Sequence, residues 1–334
     1  MKPGKVSQAV YQKAIQKKLN DDKTAYFHPD RIESCYAARH EDGEEVIACD
    51  VSLYGDERDL CVFALAQAMN HLAAKEAKIL GVDLQIMLPQ FAYESRLKAM
   101  MNEAERASKE WGIPILSADA RVVPHIETTI VHVGALGSVP KDKLTKNCKP
   151  LAGQDIVQIN HIGSEGALRI LRARRQELEK RFSRTFLDQI ESMDQELSAG
   201  SELKIAAAIG VSAMHQVVDG GILAALWDLA ETAKLGLSVD MKKIAIRQEA
   251  IEVCECFHLN PYMLTSAGCM LVVTDKGEEL ADALIQQGMS AVVIGHTLKG
   301  NEKILMNGEE TRYLERPAPD ELNKILELPR PTEE

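Results

Sequence analysis

Between His215 and Gly221 the chain reads His-Gln-Val-Val-Asp-Gly-Gly, and Ile-Leu-Ala-Ala-Leu-Trp follows directly. No other segment limits the possible folds as much. Asp219 is a good N-cap, Gly220 and Gly221 let another backbone come close, and the apolar run behind them has helical spacing. A helix that begins this way leaves a strand through a tight turn, so strands and helices are expected to alternate around it. Its first-turn N–H groups suit an anion, and a turn built only for close packing is the other reading.

The flanking sequence alternates as that feature requires. Strand patterns at 45–53, 82–88, 122–136, 155–160, 235–239, 269–273 and 291–295 are separated by helical ones at 58–80, 93–111, 247–257 and 276–287. A polar helix is expected over 6–19, a second glycine turn at Gly163 to Gly166, a charged helical insert over 172–202, and a short last helix after Pro319. The lysine-rich segment 140–150 reads as a linker. It divides the chain into a domain at 1–145 and another at 150–334, an α/β (α+β) architecture in two halves.

Composition narrows the function classes. Hydrophobic residues make up 46% of 334, ample for two cores, but aromatics are only 4%, so those cores must be aliphatic. A net charge of −11 argues against sequence-independent nucleic-acid binding. No apolar run approaches the ~20 residues of a membrane span, and the first residues carry no apolar signal region, so a cytoplasmic protein is expected. The seven cysteines are odd in number and include no CxxC pair. Cys254 and Cys256 would point about 200° apart on a helix, so all seven are read as inert thiols in a reducing compartment.

The run from Val211 to Ala230 resembles the "SAMHDPTEGGV..AL.E.A" segment of the aminoimidazole ribonucleotide (AIR) synthase superfamily, which includes AIR synthase, the hydrogenase maturation factor HypE, thiamine-monophosphate kinase and selenophosphate synthetase. Ile246 to Glu249 with Asn260 to Gly268 resembles "IPIR.E......NPY.LLSSG" of its HypE-like members, and Val293 to His296 their closing "IG" strand. Ahead of these, Ala48-Cys49-Asp50 is similar to "TTD", Met69 to Ala74 to "VNDIAAMGA", Pro114 to Pro124 to "IVGGDTKVVP", and Val133 to Gly137 to "TALG".

The resemblance implies a PurM-like fold whose N-terminal domain contributes strands to a β-barrel at a homodimer interface. It also implies ATP against that domain and Mg²⁺ held by carboxylates, with Asp50 and Asp119 at metal-binding positions. Asn70, His71, Asp119, Arg121, Gly163, Gly166, Gly220 and Gly221 are the cofactor-binding candidates, and His71 and His215 the catalytic ones. Arg121 beside Asp119 either reaches a phosphate or makes a surface ion pair. His132, in an apolar strand, reads as a core histidine.

Departures from the pattern thin the ATP site. His71 and Gln216 stand where the family has aspartates, Ser117-Ala118 replaces a glycine pair, and Glu33 to Ala37 keeps at most one acid of "DDAAV". HypE works through a C-terminal cysteine, and the tail from Glu327 to Glu334 has none, so HypE chemistry is not expected. The expected function is binding of a nucleotide or phosphorylated small molecule between the domains, without nucleic acid or membrane. As an enzyme it would activate an oxygen or acid group through a phosphorylated intermediate. The alternative is a non-catalytic paralogue that uses the same dimer scaffold to bind a metabolite or partner protein.

Overall fold

The computed structural model describes residues 25–27, 35–38, 44–140 and 150–327. The helix expected over 6–19, most of the early acidic motif and most of the lysine-rich segment lie outside these residues.

The first six strands form one sheet in the order β1-β2-β3-β6-β4-β5. They are β1 (Ala25–Phe27), β2 (Cys35–Ala38), β3 (Glu44–Gly55), β4 (Lys78–Pro89), β5 (Ile115–Val123) and β6 (Thr129–Pro140). Helices α1 (Leu60–Ala73) and α2 (Glu94–Trp111) belong to this half. α2 is amphipathic and stops at Gly112, whose left-handed φ of 69° ends the helix. α1 is different: nearly every residue is apolar and buried. Leu60, Cys61, Ala64, Leu65 and Ala68 pack under the sheet. Val62, Phe63 and Ala66 join Ala167, Leu168 and Leu171 in a core of the second half. A helix apolar all round is one with protein on every side.

The second sheet has the order β13-β12-β9-β11-β7-β10-β8. Its strands are β7 (Asp155–Ile159), β8 (Ala213–Gln216), β9 (Gly236–Asp240), β10 (Met270–Thr274), β11 (Ala291–Leu298), β12 (Lys303–Asn307) and β13 (Glu310–Tyr313). All of β10 is buried, as suits a strand covered on both faces. One face carries the apolar side of α7 (Gly221–Ala233), and the other carries α6 (Gly200–Ile209) and α9 (Gly277–Ile285). Between the sheet and the first half lie α3 (Ser164–Ala173) and α8 (Gln248–Cys256). The charged insert forms α4 (Arg175–Glu179), α5 (Arg184–Glu191) and a 3-10 turn at Ser192–Glu196. It buries Leu178, Leu187, Ile190 and Met193 with α3 and α8.

Three expectations change. The strand expected over 122–136 is two strands, because Pro124 and polar neighbours interrupt it. β5 and β6 then lie on opposite sides of β4, parallel and antiparallel to it respectively. The helix expected to reach residue 80 ends at Ala73, and β4 already starts at Lys78. The β12–β13 hairpin is not among the expected strands: its apolar run is only Ile304 to Met306, and β13 is mostly polar.

Candidate functional site

A cavity of about 370 Å³ opens where the halves meet. β3 forms one wall because its side chains alternate: Ile47, Cys49 and Val51 point to the core, and Asp50, Ser52 and Tyr54 line the cavity. His132 lies across from Ser52 in the ladder. Its Nδ1 is 2.9 Å from Ser52 Oγ and its Nε2 3.3 Å from Asp50 Oδ1. The core role expected for His132 is therefore corrected, since the imidazole lies on the open face of β6 and fixes two cavity residues.

α1 supplies Gln67 and His71. Gln67 Nε2 donates to Glu165 Oε1 at 2.9 Å, and the buried Glu165 also accepts from Thr265 Oγ1 at 2.7 Å and Ala267 N at 2.9 Å. Burial raises the Glu165 pKa, although Arg169 and these donors oppose the shift. Arg169 lines the cavity, but it donates to Glu57 Oε1 at 3.2 Å and to the Tyr54 carbonyl at 2.6 Å. This buried arginine crosses from α3 to the end of β3 and ties the halves together.

The far wall is the start of α7 together with α10 (Leu322–Leu326). Gly220 has a φ of 85°, and its N–H donates to Asp320 Oδ2 at 2.8 Å. Asp320 Oδ1 accepts from Leu322 N at 2.8 Å. The anion at this helix start is thus the protein's own carboxylate. Burial, then the charge of Asp219, push Asp320 up to about 7. The Tyr54 hydroxyl donates to Asn323 Oδ1, and the buried Asn323 Nδ2 has no protein partner. Burial raises the Tyr54 pKa; the Arg169 charge opposes the shift and Asp219 adds to it.

Of the expected site residues, the cavity collects Asp50 and His71, with Asp219 beside Gly220. Asp119 lies elsewhere. It sits on β5, three strands from β3, so about 14 Å separates the two positions at about 4.8 Å per strand. Its carboxylate is exposed and pairs with Arg121 at 3.0 Å, the surface ion pair. Asn70 is fully buried. Its amide donates to Leu197 O at 2.8 Å and accepts from Ala199 N at 3.0 Å, so it clamps the segment after the insert.

The glycine turns are corrected too. Gly163 N donates to Ser266 Oγ at 2.6 Å and Gly166 N to Thr265 O at 3.0 Å. A Cβ on Gly166 would lie 2.2 Å from Leu264 Cγ, and one on Gly221 2.5 Å from Tyr262 O. These glycines seat protein chain where an anion was expected. His215 shares its face of β8 with Ala213, on the α7 side, whereas Met214 and Gln216 face the other way. His215 and His71 are therefore not brought together. Gln216 is buried with neither amide atom bonded to protein. Among the described residues no three His, Cys, Asp or Glu side chains converge as a metal site.

Sequence reasoning missed Tyr54, Arg169, Asp320 and Asn323. For Asp320 a signal existed, since Pro-Ala-Pro-Asp-Glu ahead of a short apolar run is an N-cap pattern.

Residues 152–307 match the AIR synthase related protein C-terminal domain. A putative hydrogenase expression/formation protein of Methanocaldococcus jannaschii is 24% identical over 252 residues, which is 74% of this chain and 73% of the relative. The second half of the chain thus carries an AIR synthase-related domain. The chain is also 24% identical to the carbamoyl dehydratase HypE of Rhodobacter capsulatus, over 72% of itself and 70% of that protein. Its fold is that of the hydrogenase maturation protein HypE solved in complex with ATP. The TM-score is 0.71 at 17% identity, covering 97% of each chain. The two-domain PurM-like α/β fold follows. No helix among the described residues is long and apolar enough to cross a membrane.

Proposed function

We propose that the cavity between the halves binds a nucleotide or phosphorylated small molecule, and that the chain uses ATP to activate an acceptor oxygen. The observation that carries this reading is the meeting of Asp50, His71 and Asp219, from β3, α1 and the start of α7, at one cavity. The ATP-bound HypE structure supports it by likeness of fold. Mg²⁺ takes oxygen ligands and keeps waters, so Asp50 and Asp219 with ligand phosphates make an adequate set, and Asp119 takes no part. Mg²⁺-ATP would supply the phosphoryl group. His132 and Ser52 fix the Asp50 carboxylate. Arg169, held by Glu57, positions β3 against α3 and stays off the phosphates.

The acceptor end is lined by Asp219, Asp320, Asn323 and Tyr54. The Asp320 carboxylate there repels a carboxylate acceptor, so the acceptor is a neutral group with an oxygen that accepts from Asn323 Nδ2. Within this reading the protein acts as a homodimer joined through β5, which is exposed over most of its length and carries Leu116 and Val122, each 61% exposed.

A second reading, a non-catalytic paralogue, is favoured by Gln216 and His71 standing where the family carries acids. Thermal shift with ATP, with Mg²⁺, and with both separates the two. The enzyme reading expects a rise only with both, lost in Asp50→Asn. A protein that no nucleotide stabilises under any condition would sink it.

A further inference from the structure

Cys35 on β2 and Cys49 on β3 are direct partners in the antiparallel ladder. Such partners have Cα atoms about 4.5–5.5 Å apart, inside the roughly 4.4–6.8 Å that a disulfide spans. Both thiols are buried and reduced. The neighbouring Cys35, and then burial, hold the Cys49 thiol well above its ordinary pKa. On α1, Cys35 Sγ reaches the His71 carbonyl at 3.6 Å and Cys49 Sγ the Ala68 carbonyl at 3.3 Å. Among the described cysteines no other two are partners in a strand ladder.

We propose that Cys35 and Cys49 are a modification site, forming a reversible cross-strand disulfide with peroxide-class oxidants. The β1–β2 hairpin lies at one edge of its sheet, so it can open and expose Cys35 without unfolding the rest. The Cys35 thiolate attacks one peroxide oxygen. An S–O bond forms, the O–O bond breaks, and the departing hydroxide takes up the thiol proton as water. When the hairpin recloses, the Cys49 sulfur attacks the Cys35 sulfur. The S–S bond forms, the S–O bond breaks, and the hydroxide leaves with the Cys49 proton as a second water. Two thiols and one peroxide give one disulfide and two waters, with two electrons passed to the peroxide. A dithiol reverses the change. Cys49 precedes the cavity residue Asp50, and Cys35 contacts the backbone of His71, so the bond pins β3 beside the end of α1.

The test treats the full chain with hydrogen peroxide, blocks remaining thiols, and digests with trypsin without reductant. Peptides 32–39 and 40–58 are expected as one linked species, lighter than their sum by two hydrogens. Tm should rise by about 5 °C for a loop of this length and fall back with dithiothreitol. Cys35→Ser and Cys49→Ala should each abolish both effects. The half-buried Cys256 serves as a dosing control. Recovery of both peptides unlinked, at a dose that oxidises Cys256, overturns the proposal, as does sulfinic acid at Cys35 with no linked species. The peptide measurement on the unaltered chain decides the matter even where a variant fails to fold.

Discussion

Glu196 shows how one side chain in the insert can carry a measurable share of stability. Burial alone would raise its pKa, but hydrogen bonds from His161 at 3.1 Å and Arg247 Nε at 2.8 Å hold it down to about 2. The folded pKa lies below the unfolded value near 4.5, so the contribution is present above pH 4.5 and is lost as pH falls towards 2. At neutral pH it amounts to about 3 kcal/mol. Glu196→Gln should lower urea-unfolding stability by about that amount at pH 7 and flatten its decline between pH 4.5 and 2. An unchanged slope would show that the pairing contributes nothing. At the same scale the sequence picks out both Asp50, which lines the cavity, and Asn70, whose side chain holds backbone. An asparagine inside a family motif looks like a ligand, and only the fold reveals that its amide is bonded to Leu197 and Ala199.

At the scale of elements, the glycine turns were found from sequence and their partners were not. Paired glycines announce that something comes close, and the chain alone does not say what. At Gly221 it is the 261–264 turn, and the left-handed φ of 66° adds strain for any other residue. Gly221→Ala should therefore cost about 2–4 kcal/mol, read as a drop in the urea midpoint with unchanged slope. Buried apolar strands such as β10 were legible because their composition alone sets them apart. The misreading of His132 was avoidable: Val131, Val133 and Ala135 are buried in β6, and strict alternation puts position 132 on the other face. Tyr54, Arg169 and Asn323 carried no local signal, because each gains its role from a contact more than 100 residues away.

At the scale of the molecule, β5 leaves a sheet edge with apolar side chains on it, and unpaired edges of this kind invite another strand. The homodimer of the proposed reading should appear in light scattering at twice the 36.9 kDa chain mass. Val122→Lys combined with Leu116→Lys should reduce it to the single-chain mass while leaving circular dichroism unchanged. A single-chain mass for the unaltered protein would refute the dimer. The alternation of strands and helices made the layout of this molecule readable. The cavity was not, because its walls come from opposite ends of the chain.

One consequence of α1 concerns how the molecule comes apart. Its residues belong to both cores, so neither half keeps a complete interior without the other. The chain should then lose structure in a single cooperative step, with fluorescence and circular dichroism giving coincident urea curves, and cleavage in the 141–149 segment should not release two independently stable fragments. A biphasic curve would contradict this. Shared ownership of one helix also denies the halves a free hinge, so the two sheets should keep their mutual orientation through any change at the cavity.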